Sequence, residues 1–121
     1  MMASQYRPCG LHGLLDVEMV PQSILSNHSL LIELLTTACL EAGETPVSQH
    51  SHQFQPDGFS IVLVLAESHA SMHTYPEHGV VLVDVFTCGV LSPEKALTYL
   101  QTHLGGQSRA MTLRRGFSGN L

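Results

Sequence analysis

Apolar positions follow two distinct periods along this chain, and the switches between them mark its elements. From Leu11 to Glu18 the pattern is strand-like, and Pro21 and Ser23 punctuate its end. Between Asn27 and Ala42, Leu30, Leu31, Leu34, Leu35 and Ala38 recur at three- and four-residue spacing. That spacing gives a helix with one apolar face, and Gly43 is a natural stop. Pro46 to Phe54 reads as a moderately polar strand and Gln55-Pro-Asp-Gly58 as a turn. Ser60 to Ala66 is a buried strand, Ser68 to Tyr75 another, and Pro76-Glu-His-Gly79 a turn. Val80 to Thr87 is apolar on both parities, so both of its faces are expected to be shielded from water. Ser92-Pro93-Glu94 predicts a helix start, with serine as N-cap and proline first in the helix, running to Leu104 before Gly105-Gly106. Arg109 to Arg114 is a candidate last strand, and residues 116–121 are expected to fray.

The order β-α-β-β-β-α-β with short loops predicts an α+β two-layer sandwich. Its helices would cover one face of a mainly antiparallel sheet. Strands apolar on both sides need a second cover, which sheet-to-sheet pairing of two copies supplies. At 121 residues the chain fits a single domain, 1–121. With 44% hydrophobic and 12% charged residues it reads as globular, with apolar surface to spare for a homo-oligomer.

Charge and cysteine content then remove several classes of function. A net charge of −5 with five Lys and Arg disfavours nucleic acid, and suits a cationic small ligand. The longest apolar run, Ile61 to Ala66, is far short of a membrane span. Met1-Met-Ala-Ser-Gln lacks the basic and apolar regions of a secretory signal. Three cysteines at unrelated spacings (Cys9, Cys39, Cys88) argue for a reducing compartment, hence a cytoplasmic protein. Cys39 falls on the apolar side of the first helix and reads as packing.

The candidate chemistry gathers in residues 67–89, where Ser68, His73 and Cys88 fall on consecutive strands. Glu67-Ser68 ends one apolar strand and begins the next, where a tight, strained connection favours attack of the serine hydroxyl on the Glu67 carbonyl. The resulting ester eliminates to dehydroalanine, which hydrolyses to a pyruvoyl group. His73 is a candidate base. Regular alternation points Ser68 and His73 to opposite faces, so a bulge or bend near Ser68 is expected to bring them together. Cys88 is either a buried, inert thiol or, at its strand end, one facing a pocket. His50, His52, His69, His73 and His78 form a polar cluster, but they lack the carboxylates or thiols of a strong metal signature. No metal is therefore assigned.

Ala66-Glu-Ser-His69, His73-Thr-Tyr-Pro-Glu77 and Asp84-Val-Phe-Thr-Cys-Gly89 resemble the signature of the prokaryotic S-adenosylmethionine decarboxylases. His12 and Asp16, His52 and Phe54, Gly58 and Ser60, and the helix after Cys88-Gly89 extend the resemblance over nearly the whole chain. It implies self-cleavage into a β chain 1–67 and an α chain 68–121, with Ser68 becoming the pyruvoyl cofactor. That group would form a Schiff base with the substrate amine and accept the electrons released by decarboxylation. The resemblance also implies that Ser60 and His73 assist processing, the histidine by removing the α-proton of the ester. Cys88 would reprotonate the substrate carbon, Phe54 and Tyr75 would sandwich the adenine, and Glu77 would lie near the ribose. It implies a homodimer of αβ protomers, an α/β/β/α four-layer sandwich.

Gly13, Ala70, Met72, Tyr75 and Val90 depart from the family's usual residues, and are expected to lie near the substrate pocket. They keep open a decarboxylase of arginine or ornithine with the same fold and cofactor. A non-catalytic partner subunit and a histidine metal-binding protein are the readings from other classes.

Overall fold

The computed structural model describes residues 7–117. Six strands form one sheet: β1 (Cys9–Glu18), β2 (Pro46–Gln53), β3 (Phe59–Leu65), β4 (His69–Tyr75), β5 (Val80–Cys88) and β6 (Gln107–Gly116). Their order is β2-β3-β4-β5-β1-β6, and every neighbouring pair is antiparallel. The helices are α1 (Gln22–Leu25), α2 (His28–Glu41) and α3 (Glu94–Leu104). The α+β architecture expected from the sequence is the one observed. Among the described residues no helix is long and apolar enough to cross a membrane.

Alternation along the strands decides which face the helices cover. Val81, Val83 and Val85 of β5, Ala70 and Met72 of β4, and Ile61 and Leu63 of β3 are buried. They share a core with Leu31, Leu35, Leu97 and Leu100 of the helices. The intervening residues of the same strands point the other way and carry no second layer. Within one chain the outward side of β5 is therefore only half shielded: Leu82, Asp84 and Phe86 are all partly exposed. The expected cover on both sides is absent from the single chain, because α2 and α3 lie on one face only.

Local chemistry fixes the helix ends. Asn27 caps α2 by accepting from the Leu30 amide at 3.2 Å. At the other end Gly43 takes a φ of +83°, the left-handed geometry that lets the chain turn back. The Gly43 amide then donates to the Leu40 carbonyl and the Glu44 amide to that of Cys39. The start of α3 lies one residue later than expected. Pro93 is the cap residue, and the Ser92 hydroxyl accepts from the Glu94 amide at 3.3 Å. α1 was not legible, being a single turn after Pro21. The last strand is longer than the Arg109–Arg114 span because it pairs with β1 along its whole length, through Gly116. Residues 118–121 of the expected frayed end lie outside the described residues.

Gly13 shows why α3 can lie so close to β1. A Cβ there would stand 2.8 Å from Pro93 Cβ and 3.0 Å from Leu97 Cδ1. Gly13→Val is therefore expected to overpack this contact and lower stability by about 1–3 kcal/mol, read as a drop in Tm by thermal denaturation.

Candidate active site

The hairpin joining β3 to β4 is tight. The Leu65 amide donates to the Ser68 carbonyl at 2.9 Å, leaving only Ala66 and Glu67 at the turn. Thr45, just beyond α2, straps this turn down. Its amide and hydroxyl each donate to the Glu67 carboxylate at 2.9 Å, and its carbonyl accepts from the Ala66 amide at 2.8 Å. Partial burial works against the ionised Glu67, but the Thr45 bonds and a contact with Glu44 hold its carboxyl below the usual range. The Ser68 hydroxyl donates to the Phe86 carbonyl and lies 3.4 Å from Glu44 Oε1. Among the described residues the only non-glycine with a left-handed φ is Met19, so the turn is close-set without that form of backbone strain.

Cys88 lies at this same end of the sheet, since β4 pairs His69 with Phe86 and Glu67 precedes the one as Cys88 follows the other. Burial, reinforced by the charges of Glu44, Cys9 and Glu67, pushes its thiol up. It is therefore held as a protonated thiol, the form a proton donor needs.

Ser60 and His73 occupy the opposite end. They are cross-strand partners, and Ser60 Oγ and His73 Nδ1 share a hydrogen bond of 2.7 Å. Phe54 and Tyr75 stand partly exposed near them, one just past the end of β2 and the other closing β4, and Glu77 follows in a short 3₁₀ turn. The expected bend that would bring Ser68 to His73 does not occur. β4 pairs with both neighbours without a register shift, so five residues of extended strand, about 16 Å, separate the two. Sequence adjacency suggested a single cluster; the ladder divides it in two.

Between the ends, on the uncovered face, sits a hydrogen-bonded relay that sequence patterning missed. Arg115 Nη1 donates to His12 Nδ1 at 3.1 Å. Because arginine only donates, the proton of neutral His12 is on Nε2, which lies 2.6 Å from Asp84 Oδ2. Ser71 donates to the other Asp84 oxygen, and His69 Nε2 is 3.3 Å from Oδ2. Burial alone would raise the Asp84 carboxyl, but the Ser71 and His12 hydrogen bonds and the two nearby imidazoles hold it below its ordinary range. His12, His69 and Asp84 place three donor atoms within 4.8 Å of one another, the spacing of a metal site. The guanidinium on Nδ1 directs the His12 proton onto the atom a metal would need, so the arrangement fits a relay better than a metal centre. The signal available in sequence was Asp84 itself, a lone charge inside the apolar run Val80–Phe86.

The sequence pattern described as S-adenosylmethionine decarboxylase matches residues 11–116. The chain belongs to the S-adenosylmethionine decarboxylase family. A relative from Symbiobacterium thermophilum is 40% identical over 113 residues, covering 92% of this chain and 86% of its own length. One from Aquifex aeolicus is 45% identical over 96 residues, covering 78% and 71%. Both are named S-adenosylmethionine decarboxylase proenzyme. The crystal structure of the adenosylmethionine decarboxylase from Aquifex aeolicus superposes with a TM-score of 0.84 at 38% identity, covering 95% of this chain and 97% of that one.

The five positions read as departures are not all near the substrate-pocket candidates, where they were expected. Ala70 and Met72 are fully buried, both at 0% exposure, because alternation along β4 turns them toward the helices. Gly13 meets α3, and Val90 is fully exposed beyond the end of β5. Tyr75, at 40% exposure, stands at the Ser60–His73 end, and Val90 follows two residues after Cys88. Three of these five positions thus pack against the helices.

Asp84→Asn is expected to cost about 1–3 kcal/mol at pH 7. The folded carboxyl titrates below its unfolded value of about 3.9, so its contribution is complete above that pH and fades as pH falls through the lower folded value. Thermal melts at pH 7 and pH 3 should show the gap between variant and wild type closing in acid.

Proposed function

We propose that this chain is a precursor that cuts itself between Glu67 and Ser68 and then decarboxylates S-adenosylmethionine, supplying an aminopropyl donor for spermidine synthesis. The observation that carries the reading is the placement of Ser68. It leaves a two-residue turn with its hydroxyl held by the Phe86 carbonyl and Glu44, in a family whose matched members are named proenzymes. The site fits a group made from that serine, since cutting at Glu67 leaves residue 68 as a chain end beside a protonated thiol. The pyruvoyl group, once formed, supplies a ketone for the substrate amine and a sink for electrons as carbon dioxide leaves.

The remaining roles belong to the chain's own side chains. Ser60 and His73, as a bonded pair, assist processing, the imidazole as proton acceptor. Cys88 delivers a proton to the substrate carbon. Phe54 and Tyr75 offer aromatic faces for a purine, and Glu77 a carboxylate for the ribose hydroxyls. Three free thiols fit a reducing, cytoplasmic setting.

A homodimer resolves the separation of Ser68 from His73. The uncovered face carries Leu82, Phe86, Met111 and Leu113, together with a hollow of about 450 Å³ bordered by His73 and Asp84. With two such faces about 10 Å apart, a two-fold axis running across the strands would lay the Ser60–His73 end of one copy over the Ser68 end of the other. Each site then draws on both chains.

Three measurements test this. Intact-mass analysis should find chains 1–67 and 68–121, with the new amino terminus blocked as pyruvoyl, and Ser68→Ala should stay whole. Carbon dioxide release should occur with S-adenosylmethionine and not with arginine or ornithine; release only with an amino acid would transfer the assignment, with Tyr75 as the first residue to examine. Co-expression of Ser68→Ala with His73→Ala chains should restore cleavage of the His73→Ala chain, because the partner supplies the imidazole. No cleavage in that mixture would refute the shared site.

A further inference from the structure

Glu44 is a buried carboxyl that none of the roles above uses. It is only 3% exposed, and its Oε2 is buried with no ordinary donor in reach. The hydrogen bonds at the end of α2 explain how it arrives there. Amide bonds from Gly43 to Leu40 and from Glu44 to Cys39 form, respectively, the five-to-two and six-to-one bonds of a Schellman turn. In that motif the residue after the left-handed glycine packs inward against the residue five before it. An apolar side chain is usual there. This chain puts a carboxylic acid in that position and turns it toward the Glu67-Ser68 peptide.

The groups facing Glu44 are Glu67 and Ser68 from the β3–β4 turn, Cys39 from α2 and Cys88 from the end of β5. Burial, then the hydrogen bond and charge of Glu67, push the Glu44 carboxyl up to about 8, while Glu67 itself is lowered. One proton is thus shared between two carboxyls and resides on Glu44, which accounts for the otherwise orphaned Oε2. Its other oxygen, Oε1, is the atom 3.4 Å from the Ser68 hydroxyl. A base whose basicity lies near working pH is the kind that removes a hydroxyl proton efficiently, and such contacts tighten as the reaction proceeds.

We propose that Glu44 is the general base of self-cleavage. Its carboxylate takes the Ser68 hydroxyl proton as Oγ bonds to the Glu67 carbonyl carbon, and it returns that proton to the Ser68 nitrogen as the peptide C–N bond breaks. The shift is proton-neutral, so one carboxyl serves both halves. While Glu44 is protonated, the Ser68 hydroxyl rests on the Phe86 carbonyl. Ionised, Glu44 becomes the stronger acceptor. This role rests on the reading that the chain cuts itself at Glu67-Ser68.

The precursor made in a cell-free system allows the test, with cleavage followed by gel from pH 6 to pH 9. The wild-type rate should rise with pH and level off above about 8, as the Glu44 carboxylate forms. Cys39 is pushed up to about 12, Cys88 is raised and Glu67 is lowered, so none of them titrates across that rise. Glu44→Gln keeps the shape and removes the base. It should slow cleavage at pH 8 at least tenfold and abolish the rise, while its melting transition stays cooperative. A folded Glu44→Gln chain that cuts at the wild-type rate overturns the role of Glu44 and leaves self-cleavage standing. If the variant does not fold, the wild-type profile decides, and one that is flat between pH 7 and pH 9 overturns the role equally. A wild-type chain that remains uncut at every pH overturns self-cleavage, and this role with it.

Discussion

The unbroken antiparallel ladder through β3, β4 and β5 is the constraint on which the rest of this molecule depends. With no bulge in β4, residue parity and residue distance are both fixed. Even-numbered positions of β4 turn to the helices, odd-numbered ones to the open face, and each residue adds about 3.3 Å. From this follow the burial of Ala70 and Met72, the pairing of Ser60 with His73, and the distance of both from Ser68. A one-residue slip would exchange core for face and disperse every candidate residue.

Two devices hold the β3–β4 turn against that ladder. Thr45 clamps Glu67 through its amide and hydroxyl, and the Schellman turn of α2 delivers Glu44 beneath Ser68. Both originate in the short connection from α2 to β2, so the helix layer has a function beyond packing. It sets the electrostatics of the Glu67-Ser68 peptide: an ionised carboxylate on the solvent side and a protonated one within. On the open face the polarity is arranged differently. Arg115, His12 and Asp84 satisfy one another in a line, allowing a charged group to sit among Leu82, Phe86 and Leu113 without stranding a donor.

The division of the candidate residues between two ends of the sheet has a consequence for assembly. One chain alone presents Ser68 and Cys88 at one end and, remote from them, His73 with Phe54 and Tyr75 at the other. Neither half is a complete catalytic constellation. In the proposed homodimer, stacking the uncovered faces would bury their apolar residues and bring the two ends together.

By itself the sequence determined the order of the six strands and two longer helices, most of their boundaries to within two residues, the one-sided amphipathic helix at 28–41, and the membership implied by Glu67-Ser-His, His73-Thr-Tyr-Pro-Glu77 and Phe86-Thr-Cys-Gly89. These are local signals: spacing, caps, turns and contiguous motifs. Only the tertiary structure decided that Ser68 and His73 lie apart, that Gly13, Ala70 and Met72 serve packing, and that Arg115, more than a hundred residues away, sets the tautomer of His12. Glu44 had no sequence signal at all, because its meaning comes from a helix end meeting a hairpin 24 residues away. Periodicity specifies which way a residue faces; strand pairing specifies what it faces, and that is where the chemistry lies.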